Sequence, residues 1–143
     1  MFKQIFVNLP VKDLSSSIEF WKNLGFEFDP RFTDEKAGSL KLGENIYAML
    51  LTEEFFKTFV KSHEIADTSK SKEVLNALSV NSREEVDKMI EKVVEFGGKE
   101  YGNTEDYDWM YTRDFEDLDG HIWEVLYMDI DKFPGNKNED DKN

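Results

Sequence analysis

Asp-Leu-Asp-Gly-His-Ile-Trp-Glu-Val-Leu-Tyr, residues 117–127, is the stretch that decides the fold. It opens with a turn, because Asp-x-Asp-Gly supplies side-chain acceptors and a glycine that adopts positive φ without steric cost. The aromatic and β-branched run that follows predicts a strand. Glu124 interrupts this run, and strand alternation puts it on the face of Ile122 and Leu126. A carboxylate among apolar side chains is costly unless it is paired or used, so Glu124 is the first candidate functional residue.

Length and composition narrow the class of protein. The 143 residues suffice for one domain, with 39% apolar and 14% aromatic residues to build a core. The absence of cysteine excludes disulfides, a thiol nucleophile and a cysteine-based zinc site. A net charge of −13, from 31 acidic and 18 basic residues, argues against nucleic acid and anionic membrane surfaces. Without an apolar run of about 20 residues or a signal peptide, we expect a cytoplasmic protein.

The order of predicted elements repeats along the chain. The first half predicts one strand, a helix capped by Asp13, and three more strands, at residues 4–11, 14–24, 26–32, 39–42 and 45–52. A short helix at residues 53–60 and a polar linker at 61–72 follow. The second half predicts a strand, a helix opened by the capping box of Ser82 and Glu85, and three strands, at residues 73–80, 82–96, 99–105, 109–115 and 122–127.

This repeat predicts an α+β fold built from two βαβββ modules. Module 1 covers about residues 1–60 and module 2 about residues 73–130, within a single domain of residues 1–130. Because one module buries only one face of its sheet, we expect the two curved mixed sheets to form a half-barrel cup with the helices outside. Residues 131–143 are rich in charge and amide and predict a disordered acidic tail.

Three motifs resemble those of the vicinal oxygen chelate superfamily. They are Phe-Val-Asn-Leu-Pro-Val-Lys-Asp-Leu at residues 6–14, Ser-Ile-Glu-Phe-Trp at 17–21 followed by Leu-Gly-Phe at 24–26, and Phe-Glu-Asp-Leu-Asp-Gly-His-Ile-Trp-Glu-Val at 115–125. That superfamily holds glyoxalase I, extradiol dioxygenases, fosfomycin-resistance enzymes and bleomycin-binding resistance proteins. The chain is most similar to lactoylglutathione-lyase-related bacterial members of unassigned activity. The resemblance covers residues 1 to about 130 and implies paired βαβββ modules and a homodimer.

The resemblance also implies a divalent metal held by up to four side chains inside the cup. The four ligand positions match Phe6, approximately Leu50, roughly Leu75, and Glu124. A catalytic zinc keeps about three protein ligands, and oxygen-based sites need several carboxylates, so one carboxylate is not a site. His121 lies three residues from Glu124 along a strand and therefore points to the opposite face. We therefore predict no metal cofactor.

Glu124 has several interpretations at this stage. It is a general base with a pKa raised by apolar neighbours, an anchor for a cationic or hydroxyl-bearing ligand, or the ion-pair partner of Arg113. Around it we predict a ligand-binding cup with an apolar wall and a few polar groups. The predicted lining residues are Phe6, Asn8, Leu50, Thr52, Trp109, Tyr111 and Arg113. The alternative is that the aromatic members of this set simply fill the concavity as core.

Three functional classes follow from these observations. The first is a metal-independent protein that binds a small aromatic or cationic molecule. The second is a lyase or isomerase of glyoxalase type, either metal-dependent or using Glu124 as its base. The third is a protein-interaction or regulatory module without a small ligand. The retained cup and the missing metal ligands favour the first class.

Overall fold

The chain forms two four-stranded mixed sheets with helices in the computed structural model, which describes residues 1–135. It divides into two compact units, the first ending at Lys72 and the second beginning at Glu73. Each unit has the element order βαβββ, and the first adds a short helix. The predicted α+β fold of two βαβββ modules is confirmed.

The first unit has the strand order β1-β4-β3-β2, with β1 parallel to β4. Its elements are β1 (Ile5–Val11), α1 (Leu14–Asn23), β2 (Glu27–Phe28), β3 (Ala37–Gly43), β4 (Ile46–Thr52) and α2 (Glu53–Val60). The side chain of Asp13 accepts a hydrogen bond from the Ser16 amide at 3.0 Å, which confirms the predicted cap of α1. The buried residues Phe20 and Trp21 of α1 supply its apolar side.

The strand predicted at residues 26–32 is wrong beyond Phe28. β2 has only two residues, and a 3₁₀ turn, Pro30–Phe32, follows it. The side chain of Asp29 accepts a hydrogen bond from the Arg31 amide and thereby caps this turn. Pro30 has no amide hydrogen for a sheet ladder, so the chain turns where a strand would lose a bond.

The second unit repeats the arrangement with the strand order β5-β8-β7-β6. Its elements are β5 (Leu75–Ser79), α3 (Arg83–Glu95), β6 (Lys99–Asp106), β7 (Met110–Glu116) and β8 (Ile122–Met128). The predicted capping residues act at the start of α3. The Ser82 hydroxyl accepts from the Glu85 amide at 3.2 Å, and the Glu85 carboxylate accepts from the Asn81 amide at 2.6 Å. The core of this unit contains Val86 and Ile90 of α3.

The turn between β7 and β8 is organised by the buried carboxylate of Asp117. It accepts hydrogen bonds from the amides of Asp119 at 2.9 Å and His121 at 3.0 Å, and from Trp123 Nε1 at 2.9 Å. Gly120 adopts φ 78°, the left-handed region that the motif predicts. One side chain thus joins the turn to the core, because the Trp123 ring is 1% exposed.

Local turns form both in the linker and in the first residues of the tail. Between α2 and β5 the chain has no helix or strand, and the Asp67 carboxylate accepts from the amide and hydroxyl of Ser69. The tail was predicted to begin at residue 131, but a 3₁₀ turn, Ile130–Lys132, and a contact of Phe133 with Trp109 structure its first residues. Residues 136–143 of the predicted tail lie outside the described residues. No helix in residues 1–135 has the length and apolar character to cross a membrane.

Candidate functional site

The register of β7 against β8 assigns every side chain of this hairpin to one of two faces. Asp114 lies directly opposite Glu124, and Arg113 lies opposite Val125. Residues that are paired in this way point to the same side of a sheet. Arg113 is bonded to Asp87 of α3, so its face is the one toward the helix. Glu124 and Asp114 therefore lie on the face opposite α3.

Arg113 belongs to an ionic network on the helix-facing side. Its guanidinium lies 2.8 Å from the Asp87 carboxylate of α3 and 2.5 Å from the Glu100 carboxylate of β6. The Tyr111 hydroxyl donates to the same Asp87 carboxylate at 2.6 Å. The Tyr111 hydrogen bond, with that of Arg113, lowers the pKa of Asp87. The proposed pairing of Arg113 with Glu124 is therefore wrong, because the two side chains occupy opposite faces.

Side-chain contacts also fix the positions of Tyr111 and Trp109. Tyr111 joins the helix-facing network, and the bonded Asp87 raises the pKa of its hydroxyl. The Trp109 ring stacks on Tyr107, with centroids 5.8 Å apart, and meets Phe133 edge-on at 4.8 Å. The predicted cup required Tyr111 and Arg113 to share a face of the sheet with Glu124. That prediction is wrong, because both side chains lie on the face toward α3.

Part of the face of the second sheet opposite α3 carries three neighbouring carboxylates, and we name this part the acidic face. Its members are Glu105 of β6, Asp114 of β7 and Glu124 of β8. The register brings them together, because Glu105 opposes Thr112, the residue two before Asp114 on the same face. Among residues 1–135 none of the three carboxylates has a side-chain hydrogen-bond donor or a cationic partner.

On the acidic face, which has no described cationic partner, the pKa values of Asp114 and Glu124 are raised. Burial, followed by the charges of Glu124 and Glu105, raises the pKa of Asp114 to about 6. Burial and the charge of Glu105 also raise the pKa of Glu124. These are the effects expected when carboxylates lose water and face like charges without a compensating cation. The acidic face is therefore a place where added positive charge is favourable.

Replacing Asp114 with asparagine is expected to stabilise the protein at neutral pH. A carboxyl group whose pKa is raised on folding contributes stability that is complete below its unfolded pKa, near 3.8, and lost as the pH rises through about 6. Asp114→Asn removes this loss. We expect a gain of about 1 kcal/mol in unfolding free energy at pH 7, a value reduced for partial solvent screening, which shrinks toward zero at pH 4. Urea titrations at pH 4, 5, 6 and 7 measure it.

Glu91→Gln is the matched control for this pH dependence, because Glu91 is an exposed carboxylate on α3. We expect its effect on the unfolding free energy to stay within about 0.5 kcal/mol across the same pH range. An Asp114→Asn variant that is destabilised at pH 7, or one whose gain is equal at pH 4 and pH 7, would contradict the assignment.

In the first unit, the face opposite α1 carries Phe6 and Asn8. The Phe6 ring stacks on Tyr47, with centroids 4.9 Å apart and an interplanar angle of 14°, and Phe6 is 48% exposed. Asn8 lies opposite Met49 in the register, and its side-chain amide donates to the Phe6 carbonyl at 3.1 Å. We name these four residues the Phe6 face.

Leu50 and Thr52 lie on the other side of this sheet from Phe6 and Asn8. Leu50 is 0% exposed and opposes Gly38, where an added Cβ would lie 3.3 Å from Cδ1 of Ile18 in α1. Leu50 is therefore part of the core beneath α1. Thr52 follows it by two residues, and its hydroxyl caps α2 by accepting from the Phe55 amide at 3.2 Å. The expectation that Leu50 and Thr52 share the face of Phe6 and Asn8 is wrong.

Sequence reasoning missed Tyr47, Glu105 and Asp114. Tyr47 became recognisable only from the register, which sets it beside Phe6. The signal for Asp114 was present in the alternation of β7, since Thr112, Asp114 and Glu116 form one face of that strand. Several acids occur on β6 and β7, however, and only the register separates those that arginines neutralise from those on the acidic face.

The four positions matched to the superfamily's metal ligands do not fit a metal. Phe6, Leu50 and Leu75 have no donor atom, and Leu50 faces the core. Glu124 alone retains a ligating group. Within the described range, residues 1–135, no group of three or more histidine, cysteine, aspartate or glutamate side chains is arranged to hold a metal ion.

The chain has two βαβββ units, and its last strand carries a glutamate. Comparison with protein-family models identifies the class of protein to which this arrangement belongs. The model of the Glyoxalase/Bleomycin resistance protein/Dioxygenase superfamily matches residues 3–125, and the chain belongs to this superfamily. No curated protein matches the sequence.

Solved structures agree with this fold. Hypothetical protein SA1046 from S. aureus is 30% identical, with a TM-score of 0.73 over 89% of this chain and 95% of that one. A fosfomycin resistance protein from Listeria monocytogenes is 18% identical, with a TM-score of 0.65 over 92% and 97% of the two chains. A lactoylglutathione lyase from Agrobacterium tumefaciens is 15% identical, with a TM-score of 0.62 over 90% and 96%. At these last two identities the likeness concerns the fold alone.

Proposed function

We propose that this chain binds a small organic molecule without the divalent metal that the superfamily resemblance implies. One observation carries the proposal. Of the four metal-ligand positions only Glu124 keeps a donor, and its carboxylate has no cationic partner among the described residues. A partly buried, unpaired carboxylate costs stability, and a ligand that interacts with it offsets that cost.

Metal content and ligand binding together test this proposal. Protein purified without chelator is expected to contain far less than one Ni, Zn, Mn or Fe atom per chain by elemental analysis. In a thermal-shift panel of metabolites and antibiotics, a ligand at one hundred times its Kd is expected to add about 2.7 kcal/mol of stability. One metal ion per chain would overturn the metal-independent assignment. A panel of cationic, neutral and anionic compounds that leaves the Tm unchanged would favour an interaction module.

A second candidate function is an enzyme that uses Glu124 as its general base. It is favoured by the raised pKa of Glu124, because a base works best when its pKa approaches the working pH. Glu124→Gln separates the candidates. It abolishes turnover of any substrate found if Glu124 is the base, and it only weakens binding if Glu124 is an anchor. The cytoplasmic location and the homodimer stay predictions from composition and resemblance.

A further inference from the structure

We propose that the acidic face binds an organic cation, a guanidinium or ammonium group attached to an organic body. This inference rests on the proposed function and names the chemical class of its ligand. The acidic face consists of Glu105, Asp114 and Glu124, on three neighbouring strands of the second sheet.

The described arginines neutralise carboxylates on the helix-facing side of this sheet and do not bind Glu105, Asp114 or Glu124 on the other side. On the helix-facing side Arg113 binds Asp87 and Glu100, and Arg83 binds Asp106 at 2.6 Å. On the acidic face no described arginine, lysine or histidine binds Glu105, Asp114 or Glu124. The positive charge missing from this face is the charge that a cationic ligand supplies.

The nearest charged neighbours on the same side of the sheet do not change this imbalance. Lys99 of β6 and Glu116 of β7 oppose each other one row further along, and they carry equal and opposite charges. Tyr101 opposes Asp114 and supplies no positive charge. The row that contains Asp114 and Glu124 ends at Ala77 of β5. The acidic face therefore keeps its net negative charge.

Thr112 provides an observation independent of the acids. It is 3% exposed and lies on the acidic face, opposite Glu105 and Leu126 and two residues from Asp114. Its hydroxyl has no hydrogen-bond partner among residues 1–135. A hydroxyl on a side chain with so little exposure has limited access to water, and a hydrogen-bonding group of a ligand held by the neighbouring carboxylates would supply the partner that it lacks.

Geometry favours an organic cation over a metal ion. The acidic side chains are not arranged so that three of them could hold a metal ion within the described range. Asp114 and Glu124 lie directly opposite on antiparallel strands, where Cβ atoms are about 5 Å apart. A guanidinium presents its N–H donors in a planar fork and can donate to two such carboxylates at once.

Benzylguanidine and its neutral isostere benzylurea test the inference as a matched pair. Titrations followed by ¹H–¹⁵N spectra are expected to show that benzylguanidine shifts the amides of Thr112, Asp114 and Glu124, and that benzylurea binds at least ten times more weakly. Asp114→Asn and Glu124→Gln are each expected to weaken benzylguanidine binding about tenfold, which corresponds to about 1.4 kcal/mol. Asp106→Asn removes the same charge from the helix-facing side and is expected to leave binding within about twofold.

The outcomes separate this inference from the proposed function. Equal binding of the two probes, or binding that Asp114→Asn and Glu124→Gln do not change, overturns the cation assignment. If benzylguanidine fails and the metabolite panel yields a neutral ligand, the cation assignment fails and small-molecule binding stands. If neither the probes nor the panel binds, both fail. The ¹H–¹⁵N spectrum of each unliganded variant reports whether it is folded, so a loss of binding is not confused with a loss of structure.

Discussion

Replacing Leu50 with glutamate is expected to lower the free energy of unfolding by about 4 kcal/mol or more. Leu50 is 0% exposed in the core between the first sheet and α1. A carboxylate there loses its hydration without gaining a partner. It also replaces the apolar packing of the leucine side chain with a group that the core cannot solvate. Urea denaturation followed by far-ultraviolet circular dichroism measures the effect, and the first unit of the chain is the part expected to unfold.

Met49→Glu is the matched control, because it puts the same charge one residue earlier on the same strand. Met49 lies opposite Asn8 on the Phe6 face and is partly exposed. We expect a loss of about 1 kcal/mol or less, since the carboxylate reaches water. Although Leu50 matches a metal-ligand position by resemblance, Leu50→Glu is expected to gain no metal. Equal destabilisation by both variants, or a folded Leu50→Glu protein that binds metal, would contradict the register.

Local patterns in the sequence were sufficient wherever the structure depends on neighbours along the chain. The caps of α1 by Asp13 and of α3 by Ser82 act as predicted, because a cap needs only the residues that follow it. Alternation along β8 correctly put Glu124 on the face of Ile122 and Leu126, opposite Trp123. The turn before β8 was also predicted, with Gly120 at positive φ.

Relations between strands could not be predicted in the same way. The sequence offers Arg113 as a partner for Glu124, yet Arg113 opposes Val125 in the register. A one-residue change of register moves a side chain to the opposite face of the sheet. The predicted face of Leu50 was wrong for the same reason. The face on which Leu50 lies depends on how β4 pairs with β1 and β3, which are distant in sequence. The acidic face was missed because the sequence does not show which acids the arginines of α3 and β7 neutralise.

Asp117→Ala is expected to lower the free energy of unfolding by about 3 kcal/mol. The Asp117 carboxylate, 8% exposed, accepts three hydrogen bonds, from the amides of Asp119 and His121 and from Trp123 Nε1. Hydrogen bonds to charged groups contribute about 1.5 to 3 kcal/mol each. The net loss is smaller than their sum, because burial raises the pKa of Asp117 and its removal recovers part of that desolvation cost. Urea denaturation at pH 7 measures it.

A double-mutant cycle with Trp123→Phe isolates the bond that joins this turn to the core. Trp123→Phe removes the indole donor, so Asp117→Ala in that background no longer leaves a buried N–H without an acceptor. We expect the two changes together to cost about 1 to 2 kcal/mol less than the sum of the single effects. Strict additivity would mean that the indole bond contributes nothing, and the stability of the turn would then depend on the two backbone amides alone. A coupling of the expected size would instead show that the Asp117 side chain fixes both the turn and the Trp123 ring, and with them the face on which Glu124 lies.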